Sequence, residues 1–196
     1  MTWRSAPQDG PADRALEPKR QASVVVQRNM PEAVIIAGCN GAGKTTFARQ
    51  LLPSLYPGLE FFNVDEISRE VDPPKHPVRA GRELMARLDT AVRRKQSFVV
   101  ETTLSSRFYE RQIRTWRNSG YLVTLHFIEL ATADMAVRRV AERVAAGGHD
   151  VPEADVRRRF TRGRVLFKTR YEEIVDEWYL WESGVEGMRF VKRSSR

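Results

Sequence analysis

The sequence contains a single cysteine, Cys39, which excludes an internal disulfide and any metal site built from cysteines. Its three histidines, His76, His126 and His149, stand far apart, and that spacing predicts no zinc or iron centre. Long apolar runs are missing as well. None reaches the roughly 18 residues that a membrane span requires, and the first residues carry no apolar segment of the kind that opens a secretory signal. The expectation is a cytoplasmic protein with no membrane partner. Aromatic residues are 9% of the chain and do not alternate with its basic ones, so the pattern of a stacking platform for single-stranded nucleic acid is absent.

What the sequence does have is positive charge: 33 lysines and arginines against 25 acids, a net +8. Such a chain suits nucleic acid, an anionic surface or a phosphorylated small molecule. The arginines gather between Arg138 and Arg170 within helical patterns, which favours a polyphosphate ligand and argues against nucleic acid.

With 196 residues, 41% hydrophobic and 30% charged, the chain has the proportions of one globular α/β domain. Residues 1–29, with Pro7, Pro11, Pro18 and a lone Val24–Val26 run, read as a loose arm, and 192–196 as a basic tail that frays. Between them, over 30–191, short β-rich runs alternate with helical ones. Strands are expected at Ala33–Ala37, Glu60–Val64, Ser97–Val100, Tyr121–Glu129 and Met188–Val191. Val34-Ile35-Ile36 and Phe98-Val99-Val100 are apolar without alternation, as in parallel strands covered on both faces. Helical spacing links Leu84, Leu88 and Val92; Tyr109, Ile113 and Trp116; and Val137, Val140 and Val144. The longest helical pattern runs from Pro152 to Trp181, with Gly163 as a candidate bend.

Gly38-Cys-Asn-Gly-Ala-Gly-Lys44-Thr45 matches GxxxxGK[ST] between an apolar strand and a helical pattern ending near Pro53. Glycines let backbone N–H groups approach phosphate oxygens, and the helix N-terminus favours negative charge. The loop therefore predicts a nucleoside triphosphate, held by Gly38, Asn40, Gly41, Ala42, Gly43, Lys44, Thr45 and Thr46. Lys44 is expected on the β and γ phosphates and Thr45 on magnesium. No Asn-Lys-x-Asp signature reads guanine and no motif reads adenine, so ATP and GTP both stay open.

Asp65 and Glu101 each follow a predicted strand, at the sheet edge where open α/β folds bind ligands. One suits a base for the acceptor's hydroxyl proton, the other an acid orienting substrate or a magnesium-bound water; both also fit as helix caps. Thr102, Thr103 and Ser105 are substrate contacts or caps. Arg138, Arg139 and Arg143, the Gly147-Gly148-His149-Asp150-Val151-Pro152 hinge and Arg157, Arg158, Arg159 and Arg162 form the pattern of a helical lid over about 138–164. A solvated basic face explains them too. With Val156, Phe160 and Gly163 turned inward, Arg158 and Arg162 lie on the far side while Arg157 and Arg159 flank the apolar stripe. His149 reads as a turn former, and Trp178, Tyr179 and Trp181 as core.

Gly38-Cys-Asn-Gly-Ala-Gly-Lys-Thr-Thr-Phe-Ala, Asn63-Val-Asp65-Glu-Ile, Glu101-Thr-Thr-Leu-Ser and Gly147-Gly-His-Asp-Val-Pro occur in that order, and together they resemble a zeta-toxin-family P-loop kinase over about 31–191. The resemblance implies a five-stranded parallel sheet of order 2-3-1-4-5 and transfer of the γ-phosphoryl of ATP or GTP to a hydroxyl of UDP-N-acetylglucosamine. It implies Asp65 as catalytic base, Glu101 as the acid contacting the sugar, and Arg143 and Arg158 as the phosphate-binding lid arginines beside Lys44. Arg159 joins Asp65, Glu101, Thr102 and Thr103 on the expected substrate side. An antitoxin protein is an implied partner, although the lid sequence is closer to the shorter zeta-like kinases than to the larger toxins.

Overall fold

The computed structural model describes residues 30–71 and 77–195. The expected N-terminal arm, 1–29, lies outside the described residues, as do His76 and Arg196.

Six strands and seven helices alternate along the described chain: β1 (Glu32–Gly38), α1 (Lys44–Leu55), β2 (Glu60–Asn63), α2 (Val64–Val71), α3 (Pro77–Arg93), β3 (Phe98–Thr102), α4 (Phe108–Asn118), β4 (Leu122–Glu129), α5 (Ala133–Ala145), α6 (Glu153–Leu166), α7 (Glu172–Ile174), β5 (Glu177–Ser183) and β6 (Met188–Arg193). A π-helical stretch, Phe167–Tyr171, joins α6 to α7. The strands form one sheet of order β2-β3-β1-β4-β5-β6. All neighbours are parallel except β5 and β6.

This is the expected α/β P-loop fold with one strand more. Five parallel strands keep the 2-3-1-4-5 order, but the fifth is Glu177–Ser183, where a helix was expected, and Met188–Arg193 is an antiparallel sixth. The long helix ends at Ile174, and Val175 is already extended, with φ −89° and ψ 161°. Gly163 does not bend α6; an added Cβ would lie 3.2 Å from the Thr103 carbonyl, so the glycine lets α6 press against the loop after β3. The expected tail is partly sheet: Lys192 and Arg193 end β6, and Ser194 N donates to the Trp178 carbonyl.

The apolar strands are buried on both faces, as their lack of alternation requires. On one face Ile35, Val100, Leu125 and Phe127 pack against Leu84 and Leu88 of α3, Ile113 and Trp116 of α4, and Phe167 and Tyr171. On the other, Val34, Ile36, Val99, Ile128 and Trp181 pack against Phe47 of α1, Val140 of α5 and Val156 of α6. Val144, expected on the buried stripe of α5, is instead exposed, and the residues that helix buries are Ala136 and Val140. Trp181 is core, as expected, and its indole N–H donates to Nδ1 of the buried His126 beside Phe47, whereas Trp178 and Tyr179, also expected as core, are half-buried at the start of β5. Among the described residues no helix is long and apolar enough to cross a membrane.

Candidate active site

The centre of the sheet, β1, runs into the phosphate-loop sequence and then into α1. Gly38, Gly41 and Gly43 have φ of 145°, 77° and 85°, in the region that side chains disfavour. An added Cβ at Gly38 would collide with the Ile128 carbonyl, and one at Gly41 would lie 2.8 Å from the Ala136 carbonyl. The loop is thus pressed against β4 and α5, and Lys44 Nζ folds back to the Cys39 carbonyl at 3.0 Å. First-turn amides of a helix lack intrahelical acceptors, so the N-terminus of α1 offers donors to an anion. Burial pushes the Cys39 thiol up, which keeps it in its unreactive protonated form.

In front of α1 lies a cleft of about 300 Å³, walled by Asn40, Gly41, Gly43 and Lys44–Thr46 on one side, Asn63–Asp65 and Glu101–Thr103 on another, and Arg139, Arg143 and Arg159 above. Gly38 and Ala42 are not among its walls; they shape the loop from beneath. Parallel pairing brings the two acids here, since β3 sits between β1 and β2 and Glu101 is in register with both Ile36 and Asn63. Glu101 Oε2 accepts hydrogen bonds from Thr45 Oγ1 at 2.9 Å and Asn63 Nδ2 at 2.8 Å, and its Oε1 lies 3.8 Å from Lys44 Nζ. Asp65 is on the first turn of α2, exposed, and its carboxylate has no hydrogen bond or ion pair among the described residues.

A larger groove of about 880 Å³ continues from the cleft. The two share Val64, Glu101, Thr102, Thr103 and Arg159. Beyond them the groove has an apolar wall of Val78, Leu84, Met85 and Phe108, faced by Arg158 and Arg162 of α6. Thr103 Oγ1 and Ser105 Oγ bond to each other, and Thr102 Oγ1 accepts from Leu104 N, whose residue is held at φ 50°. Both threonines therefore shape the strand end as well as lining the site.

The arginines divide differently from the sequence expectation. Arg159 is the α6 arginine at the phosphate loop: its Nη1 donates to Asn40 Oδ1 at 3.1 Å. Arg158, expected on the phosphates, points into the groove and pairs with Asp155 at 3.0 Å. Successive helical residues are about 100° apart, so Arg158 lines only the groove while Arg159 reaches both cavities. Arg143 does line the cleft, tied by Nη2 to the backbone carbonyl of His149 at 2.6 Å. Glu101, expected on the acceptor sugar, lines both cavities and is bonded to the phosphate-loop side through Thr45 and Lys44.

Two residues in the cleft went unassigned in the sequence. Arg139 bridges Ser183 Oγ at 2.6 Å and the Gly184 carbonyl at 2.8 Å, clamping the β5–β6 turn beside the loop. Asn63 caps α2, its Oδ1 accepting from Asp65 N at 2.7 Å and Glu66 N at 3.4 Å. An asparagine directly before an amphipathic helix was the readable signal for that cap.

Among the described residues no group of three or more His, Cys, Asp or Glu side chains is placed to hold a metal. The donors beside the loop are hard oxygens, the Thr45 hydroxyl and the carboxylates of Glu101 and Asp65. That set fits magnesium, which keeps several waters and is bound through one or two carboxylates together with substrate phosphates.

A family model described as an AAA domain matches residues 34–162, which includes the loop, both acids and the arginines of the cleft. The chain belongs to the AAA domain family. A relative from Haemophilus influenzae, described only as an uncharacterized protein, is 26% identical over 141 residues, covering 66% of this chain and 92% of that one. In three dimensions this AAA domain is similar to a chain of the AvrRxo1-ORF1:AvrRxo1-ORF2 complex. The version with sulphate ions gives TM-score 0.67, 16% identity and coverage of 97% of this chain and 74% of that one; the version with ATP gives TM-score 0.66 and 17% identity, with the same coverage. It is also similar to a chain of the PezAT chromosomal toxin-antitoxin system of Streptococcus pneumoniae, at TM-score 0.60 and 15% identity, covering 95% of this chain and 83% of that one. At these identities the likeness is one of fold, and it agrees with the fold implied by the sequence motifs.

Proposed function

We propose that the protein is a phosphotransferase that moves the γ-phosphoryl group of ATP to a hydroxyl of UDP-N-acetylglucosamine. The observation that carries this reading is that the phosphate cleft and the arginine-faced groove share a wall, with the carboxylate of Asp65, unpartnered among the described residues, on the cleft side of it. Asp65 lines the phosphate cleft next to Val64, which together with Glu101, Thr102, Thr103 and Arg159 lines both that cleft and the arginine-faced groove. A nucleotide-switch protein needs only the cleft, whereas a kinase needs both and a base between them.

In this mechanism the loop and Lys44 hold the β and γ phosphates. Thr45 and Glu101 would hold a magnesium ion arriving with the nucleotide, which supplies neutralisation of phosphate charge. The acceptor occupies the groove, its diphosphate facing Arg158 and Arg162 and its apolar parts facing Val78, Met85 and Phe108. Asp65 accepts the proton of the acceptor hydroxyl, and the oxygen forms a bond to the γ-phosphorus as the bond to the β-phosphate oxygen breaks. Adenosine diphosphate leaves. Arg143 and Arg159, already on the cleft wall, offset the charge that spreads over the transferring group. The α5–α6 pair, with its glycine turn, acts as the lid. GTP is accommodated by the same phosphate contacts.

The test is incubation of the purified protein with ATP, magnesium and UDP-N-acetylglucosamine. A product about 80 Da heavier than the acceptor, the mass of one phosphoryl group, is the expected result. A folded protein that binds ATP yet leaves this acceptor unchanged sinks the acceptor assignment. The presence of a toxin-antitoxin chain among the similar structures supports a protein antitoxin as partner, testable by co-purification with the product of the adjacent reading frame.

A further inference from the structure

We infer that Asn63 is a positioning residue that ties the two carboxylates of the site into one unit and commits Glu101 to the nucleotide side. The inference rests on the proposed reading of the site and deepens it.

Asn63 is the last residue of β2, buried at 5% exposure, with its side chain between α2 and β3. Its amide is used at both ends. The oxygen accepts from the backbone N–H groups of Asp65 and Glu66, which fixes the first turn of the helix carrying Asp65. The nitrogen donates to Glu101 Oε2. The same carboxylate oxygen accepts from the Thr45 hydroxyl, and the other faces Lys44.

An unbroken chain therefore runs from the Asp65 backbone through Asn63 and Glu101 to Thr45, across strands β2 and β3 and onto helix α1. A residue that only capped α2 would need an acceptor and nothing more; aspartate or serine would serve as well. An amide accepts and donates with separate atoms and so reaches the helix and the carboxylate at once, whereas a serine hydroxyl has one oxygen for both and a shorter reach. With Oε2 held by Thr45 and Asn63, Glu101 cannot swing freely toward an acceptor in the groove. It stays beside the hydroxyl that would meet the metal, where it can orient metal-bound water. The two acids thereby take separate roles. Asp65, its carboxylate unpartnered among the described residues and next to Val64 of the shared wall, acts on the acceptor, while Glu101 acts on the nucleotide and its metal.

The test measures ATP affinity with and without Mg²⁺ by calorimetry, which needs neither acceptor nor turnover. Asn63→Ser keeps an acceptor for the α2 cap and withdraws the amide N–H that reaches Glu101, leaving only a shorter hydroxyl already engaged with the helix. It is expected to bind metal-free ATP within about twofold of wild type and to lose about tenfold of the affinity gained from Mg²⁺, the scale of losing a partner that orients a metal-side group. Glu101→Gln is expected to lose that gain as well, and the double variant is expected to be no worse than Glu101→Gln alone, because both changes break one unit. An Mg²⁺ gain in Asn63→Ser within twofold of wild type, or losses that multiply in the double variant, overturns the inference. Asn63→Thr repeats the measurement if the serine variant does not fold, and a full Mg²⁺ gain in Glu101→Gln overturns the inference whichever variant folds. A wild-type protein that binds no ATP defeats the reading of the site itself. Normal ATP binding with Asn63 variants indistinguishable from wild type defeats only the positioning role.

Discussion

Arg159 of α6 and Asn40 of the phosphate loop, 119 positions apart in sequence, meet at 3.1 Å. Arg158, one residue away, pairs with Asp155 on the wall of the neighbouring groove. The proposed reaction predicts a split between them. Arg159→Ala should lower kcat by about 10³-fold, the range of an arginine that neutralises a transferring phosphoryl. Arg158→Ala should raise KM for the acceptor about tenfold, with kcat within about threefold, since it contributes binding and not transition-state stabilisation. Steady-state kinetics with each substrate varied in turn reads both, and equal effects on kcat would remove the division of labour.

Asp65 has an exposed carboxylate without a partner among the described residues, as a base awaiting substrate requires. Asp65→Asn keeps the size and removes the proton acceptor. It should lower kcat by roughly 10²–10⁴-fold, the usual weight of a general base, while ATP affinity by calorimetry stays unchanged. Retention of most of the turnover would move the proton to another acceptor.

The sequence made the phosphate loop readable because its chemistry dictates its residues: glycines at positive φ, a lysine and a hydroxyl at fixed offsets. The central strands were readable because burial on both faces erases alternation. β5 was not, since Ile174, Trp178 and Trp181 are spaced like one face of a helix and no glycine or proline marks the break before Glu177. The competing signal was the density of aromatic residues in Trp178-Tyr179-Leu180-Trp181, which favours a strand. Glu101 was legible as a site residue but its bonding was not, because its partners Thr45 and Asn63 lie 56 and 38 positions away. The choice between Arg158 and Arg159 depends likewise on what faces each side of α6, which no local pattern records.

The two glycines of the lid turn serve different ends. Gly147 has φ 83° with open space where a Cβ would go, whereas a Cβ on Gly148 would lie 2.5 Å from Arg143 Cγ and 2.8 Å from the Arg143 carbonyl. Gly147→Ala should cost about 1 kcal/mol through its left-handed backbone and leave kcat near wild type. Gly148→Ala should displace Arg143 from the His149 carbonyl, costing about 1–3 kcal/mol as an overpacked contact and lowering kcat about tenfold. Thermal melts and kinetics on the pair distinguish a turn that merely allows the chain to reverse from one that aims Arg143.

His126 gives the fold a pH dependence with a definite sign. The Trp181 indole can only donate, so Nδ1 of His126 is the acceptor and the ring proton sits on Nε2, bonded to the Tyr56 hydroxyl at 2.9 Å. With the ring buried, desolvation pushes its pKa down to about 3, below the ordinary 6.5. The unfolded chain therefore binds a proton that the folded chain refuses. Stability from this group is complete above the unfolded value and is lost as pH falls from about 6.5 toward 3, at up to about 1.4 kcal/mol per pH unit. His126→Gln offers an oxygen to Trp181 and an N–H to Tyr56 but does not titrate, so its unfolding free energy should fall less steeply between pH 6.5 and 4 than that of the wild type. The carboxylates contribute equally to both proteins and cancel in the difference. Identical slopes in urea melts across that window would mean that the buried imidazole is protonated in place.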